Sequence, residues 1–165
     1  MEYFTEDLWN RINSSDFDEK KKARDQWKLN DEAYTIKFQS LEARFSKKAF
    51  DFFKRSSLHD SSLNDIVIEH KEFGRAKKIT VSIILTDQER VWTITYKKVS
   101  KISVDYVKKK GLYNNQKGFD DFGYDEFLDV DEDTLSHEIL FASGAKSLVH
   151  FANKNIFVTV KKQED

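Results

Sequence analysis

The apolar positions along the chain change their spacing once, near residue 60, from a helical rhythm to alternation. Before that point Leu8, Trp9 and Ile12 share one face behind Thr5, whose hydroxyl can accept a backbone N–H. Glu6 and Asp7 then sit at the positive end of the helix dipole. After the turn residues Ser14, Ser15 and Asp16, a charged stretch from Asp18 to Lys28 carries only Phe17, Ala23 and Trp27 as apolar anchors, and predicts a second helix. Asn30 or Asp31 can cap a third, in which Tyr34, Phe38, Leu41, Phe45, Ala49 and Phe52 recur every three or four residues. Such a stripe reads as a core face. This helix is expected to end near Ser56 and Ser57.

From Leu63 the period becomes two. Ile66 and Ile68 begin it, Ile79, Val81, Ile83 and Leu85 continue it, then Trp92, Ile94 and Tyr96, then Ile102, Val104 and Tyr106. Short polar connections at Glu72 to Lys78 and Thr86 to Arg90 demand antiparallel neighbours. Tyr124 to Val130, Leu135 to Ala142, Ser147 to Ala152 and Asn155 to Val160 read as further strands, with Ser143, Gly144 and Ala145 as a turn. Residues 108 to 123, rich in Lys, Asn, Asp and Gly, predict a mobile loop.

These patterns predict an α+β fold in one domain over 1–165, with helices over 1–58 packed on a six- to seven-stranded, mainly antiparallel sheet over 59–165. An offset of 56 residues sets Ile79 on Leu135, Ile83 on Ile139, Trp92 on Leu148 and Ile102 on Val158, so two meander repeats are a further expectation. Core residues should include Trp9, Phe38, Phe45, Ile83, Trp92 and Phe141.

Composition narrows the chemistry. The chain of 165 residues has no Cys, which excludes disulfides, thiolate nucleophiles and Cys-type zinc sites. No apolar run approaches a membrane span, and Met1 to Trp9 lack the basic start and apolar run of a signal peptide, so a cytoplasmic protein is expected. Charge is nearly balanced at −1, but the net is +1 over 1–58, +5 over 59–118 and −7 over 119–165. Such a gradient serves either a charged partner or neutralisation between neighbouring strands.

No catalytic signature survives inspection. His59 and Asp60 could orient an imidazole or bind a metal, but His59 is the first His in the chain, and Ser61 lacks the flanking Gly of a nucleophile turn. The structural reading has Asp60 or Ser61 bonding the turning backbone and His59 satisfying a buried carbonyl. His137 and His150 are expected to face one another across a hairpin centred between Ser143 and Gly144, a weak pair for any metal. Asp129, Asp131 and Asp133 imitate a calcium loop, yet Thr134 stands where Gly is required and Leu140 where Glu is. No cofactor is implied.

Lys97, Lys98, Lys101 and Lys108 to Lys110 near Trp92, Tyr96 and Tyr106 leave nucleic-acid binding as one alternative. The candidate interaction surface is Lys108, Lys109 and Lys110 with Asp120, Asp121, Asp129 and Asp131. The candidate polar pocket is His59, Asp60 and His150.

Tyr3-Phe4-Thr5 with Trp9, Leu58-His59-Asp60-Ser61, Tyr124-Asp125-Glu126 and Glu138 through Gly144 together resemble an uncharacterised family from Gram-positive bacteria. The His-Asp-Ser strand entry also resembles toxin-immunity-like domains, which bind a cognate toxin. The resemblance implies a stand-alone bacterial cytoplasmic protein and carries no site residue with it. The leading expectation is a non-catalytic protein-interaction domain. A small-molecule-binding or hydrolytic domain with a pocket near His59 and Asp60 is the alternative.

Overall fold

The computed structural model describes residues 1–73, 76–107 and 118–163. Thr5 caps α1 (Glu6–Ile12) by accepting from Leu8 N at 3.2 Å, as its hydroxyl and the following acids imply. Asp16 caps α2 (Phe17–Ser40), which runs unbroken through Asn30. The expected break there is absent because the Asn30 side chain, instead of capping a backbone N–H, accepts from Gln26 one turn back at 2.7 Å and donates to the Tyr3 carbonyl of the N-terminal segment at 2.7 Å. Nor does one helix continue to Ser56. Leu41 ends α2, a 3₁₀ turn follows over Glu42–Arg44, and Ser46 caps a separate α3 (Lys47–Arg55) by accepting from Ala49 N.

The break keeps the aromatic stripe together. Phe38 stacks on Phe50 at 4.9 Å, and Phe45 and Phe53 both meet Phe127 edge-on, at 5.1 and 4.7 Å. Arg44 fastens the linker. Its side chain donates to the Asp131 and Thr134 carbonyls at 2.6 and 2.9 Å and to the Asn153 side chain at 2.9 Å.

The strands are β1 (Ser62–Phe73), β2 (Ala76–Thr86), β3 (Arg90–Tyr96), β4 (Val99–Asp105), β5 (Phe122–Asp129), β6 (Thr134–Phe141), β7 (Lys146–Ala152) and β8 (Ile156–Lys162). The α+β class and the antiparallel pairing hold, but the strands form two four-stranded sheets rather than one of six or seven. One sheet has the order β1-β2-β3-β8 and the other β5-β6-β7-β4. Each is a three-stranded meander completed by the last strand of the other half of the β region. Alternation reports which face of a strand is buried; it carries no information about where β4 and β8 cross, which is why a single sheet was expected.

A single core joins both sheets and the helices. Val81, Ile83, Leu85, Ile94 and Tyr96 from the first meet Leu135, Ile139, Phe141 and Phe151 from the second, all fully buried. Each such side chain contributes roughly 1.5–3 kcal/mol on burial. Phe38, Phe45, Ile83, Trp92 and Phe141 lie in this core as expected, whereas Trp9 is only half-buried. The offset of 56 residues misaligns the inward faces of β3 and β7. Trp92, Ile94 and Tyr96 point inward, and so do Ser147, Val149 and Phe151, so Trp92 does not correspond to Leu148.

Candidate ligand cleft

The face of β5–β6 that bears Glu126 and Glu138 carries the N-terminal strap. Glu126 on β5 is buried, and its carboxylate accepts three backbone amides, from Glu2 at 2.7 Å, Tyr3 at 2.7 Å and Phe4 at 2.6 Å. The Met1 amino group pairs with Glu138 on β6, opposite Glu126 in the ladder. A buried carboxylate is stable only when its oxygens are bonded, and the strap supplies those bonds. In return the strap is held in place, and Phe4 is inserted among Trp27, Tyr34 and Tyr124 at 5.0, 5.3 and 5.8 Å between ring centres.

Beside this cluster a cleft of about 240 Å³ opens between α2, the segment joining α3 to β1, and β5. Helix α2 contributes Trp27, Asp31 and Tyr34, spaced four and three residues apart and therefore on one face. The connecting segment contributes Ser56 to His59, and β5 contributes Phe122 to Asp125. Trp27 meets Tyr124 edge-on at 4.4 Å, and His59 meets the same ring at 5.1 Å. Among the lining residues there is neither Lys nor Arg, and the formal charges are the carboxylates of Asp31 and Asp125.

Asp125 is positioned from behind. Its Oδ2 lies 2.8 Å from His137 Nε2, and His137 Nδ1 lies 2.6 Å from the Tyr96 hydroxyl. His137 and Tyr96 are buried, with Phe127 stacked on the imidazole at 3.8 Å. Burial, then the charge of Asp125, pushes the Tyr96 phenol well above its ordinary pKa, so it remains protonated. With a neutral imidazole, one arrangement satisfies both contacts: the carboxylate, which can only accept, takes the Nε2 proton, and the phenol donates to Nδ1. Tyr34 is also raised, by burial first and Asp125 second, and its oxygen accepts from Phe127 N at 2.8 Å.

The cleft contains only part of the predicted pocket. His59 lines it, half-exposed, with Nδ1 2.9 Å from Asp60 Oδ1 rather than on a buried carbonyl. Asp60 turns away. It adopts φ +66, its carboxylate is largely exposed, and it faces a separate open hollow of about 630 Å³ with Asp87, Glu89, Arg90 and Asp121. Backbone groups secure this turn: Asp60 N donates to the Phe122 carbonyl at 3.0 Å and Phe122 N to the Ser61 carbonyl at 2.8 Å. His150 lies elsewhere. The β6–β7 register sets it opposite Ser136 and sets His137 opposite Val149, one residue from the expected pairing, so the two imidazoles occupy opposite faces.

The predicted interaction surface is divided. Lys108, Lys109 and Lys110 lie outside the described residues. Asp121 accepts from Ser62 Oγ at 2.7 Å, Asp129 pairs with Lys37, and Asp131 accepts from Asp133 N at 2.9 Å. The Lys37 hydrogen bond lowers the pKa of Asp129, and the Asp133 amide lowers that of Asp131. Asp120 sits at φ +63 before β5. Among the nucleic-acid candidates, Trp92 and Tyr96 are core side chains, so neither offers a face for base stacking.

Among the described residues no group of three or more His, Cys, Asp or Glu side chains could hold a metal ion, and no helix is long and apolar enough to cross a membrane. No protein-family model matches the chain, and no curated protein matches it.

Proposed function

We propose that this chain is a non-catalytic binding protein whose recognition site is the aromatic cleft between α2, the α3–β1 segment and β5. The observation that carries this reading is the composition of the cleft. Three separate elements bring Trp27, Tyr34, His59 and Tyr124 to one concavity with two carboxylates, and one of those carboxylates is oriented by a buried His–Tyr pair. Concave aromatic sites with a few fixed polar groups are the usual form of a small-ligand site. The imidazole that holds Asp125 is buried behind it and presents no nitrogen to the cleft, which favours binding over acid–base chemistry.

A protein partner is the second reading, favoured by the exposed apolar side chains of Leu29 and Ile36 on the outer side of α2.

Labelling the three tryptophans with fluorine and recording NMR spectra against a mixed small-molecule library tests the proposal. A ligand that moves the Trp27 resonance and leaves that of Trp92 in place supports the cleft. A protein partner whose affinity is unchanged by Trp27→Ala overturns it in favour of the second reading.

A further inference from the structure

We infer that the cleft accepts a small organic cation bearing an alkylated ammonium group, an inference that rests on its being the ligand site. Three features converge. The first is electrostatic: the lining carries Asp31 and Asp125 and neither Lys nor Arg, and its one imidazole, His59, has Nδ1 2.9 Å from the carboxylate of Asp60, so an anionic ligand would meet repulsion there and a cation attraction. Among the described residues Asp31 forms no ion pair, and Asp125 has His137 on Oδ2 with no hydrogen bond to its other oxygen.

The second is the aromatic wall. Phe4, Trp27, Tyr34 and Tyr124 all line the cleft and are locked together at ring distances of 4.4 to 5.8 Å. The negative faces of such rings attract a diffuse, weakly hydrated cation, and Trp does so most strongly. An alkylated ammonium loses less hydration on entering than a primary amine, and its methyl groups fill apolar space that a metal ion would leave empty.

The third is size. A cleft of about 240 Å³ is smaller than the roughly 300 Å³ at which drug-sized sites begin, and corresponds to the volume of about eight waters. That suits a molecule of the size of choline.

The test titrates the full chain with choline and with its uncharged carbon isostere, 3,3-dimethylbutan-1-ol, following heat and tryptophan emission. Choline is expected to bind at least about tenfold more tightly than the isostere. Asp31→Asn, at an exposed position, should weaken choline by about two- to fivefold, and Trp27→Ala should abolish measurable binding. Equal affinity for choline and the isostere would overturn the cation inference while leaving the cleft as a ligand site. Failure of choline, with another library compound still moving the Trp27 resonance, would do the same. Failure of every compound to reach Trp27 would overturn both. A trimethyl-lysine tripeptide bound tenfold more tightly than choline would overturn the free-molecule source in favour of a protein-borne cation.

Discussion

Trp9 lies directly against Gly123: a Cβ at residue 123 would stand 2.4 Å from the indole and 2.7 Å from the Leu140 carbonyl oxygen. Gly123 occupies the irregularity between Phe122 and Tyr124 where β5 slips in register against β6, and the indole fills the space its missing side chain leaves. Gly123→Ala is therefore expected to destabilise the fold by about 1–3 kcal/mol through overpacking. Adding Trp9→Leu should restore part of the loss and not all, because the Leu140 carbonyl is backbone and cannot move aside. Urea denaturation of the two single variants and the double variant measures this, and full additivity would show that Trp9 and Gly123 are not coupled.

Glu126 offers a second measurement. Gln at this position keeps one carbonyl oxygen for Tyr3 and Phe4 but turns an amide N–H₂ toward the N–H of Glu2. Glu126→Gln should cost about 1–3 kcal/mol. Hydrogen exchange should show the loss concentrated in the amides of residues 2–4, with the β2 and β3 amides retaining their order of protection.

The sequence conveyed the helix start at Thr5, the α+β class with antiparallel strands and most of the core, because those depend on local spacing, while the sheet of six or seven strands it implied is in fact eight strands in two sheets. It concealed the cleft for a specific reason. Reading Asn30 as a helix cap separates Trp27 from Tyr34, and the shared face of Trp27, Asp31 and Tyr34 exists only because α2 runs through. The signal was present in their spacing; the competing cap signal was stronger, and only the contact of Asn30 with the distant Tyr3 carbonyl decides between them. Glu126 and Asp125 were hidden differently. An acid in a strand looks like surface until the chain segment that buries it is known. The slip of His150 from His137 to Ser136 is a single residue of hairpin register, which turn chemistry at Ser143 and Gly144 did not resolve.

The tautomer of His137 is a third prediction. With the Tyr96 phenol as donor, the proton of the neutral imidazole resides on Nε2 facing Asp125, and nitrogen NMR should show Nδ1 as the unprotonated nitrogen of that tautomer. Tyr96→Phe removes the donor and leaves Nδ1 buried without a partner, at a cost of about 1–3 kcal/mol. An unchanged stability would mean that the phenol and imidazole do not bond.

His150 supplies a pH dependence. Burial, followed by the charge of Lys101, lowers its pKa, while Asp131 opposes the shift. The folded protein thus takes up this proton at lower pH than the unfolded chain, whose His titrates near ~6.5. The stability associated with the neutral imidazole is whole above about pH 6.5 and declines as pH falls through the window below it. His150→Gln should flatten that part of the curve of denaturation midpoint against pH, and an unchanged slope would assign the decline to other groups.

The exchange of fourth strands has a cost in time. Once β3 has left the ribosome, its partner β8 is still roughly sixty residues away, and at about 5–20 residues per second its arrival takes roughly three to twelve seconds. Through that interval the β3 edge of the first meander stays unsatisfied in addition to the edge at β1, and β4 waits likewise for β7. A nascent chain of this topology is an early candidate for edge-to-edge association with a second nascent copy, and its yield in a cell should respond to translation speed more than its finished stability would suggest.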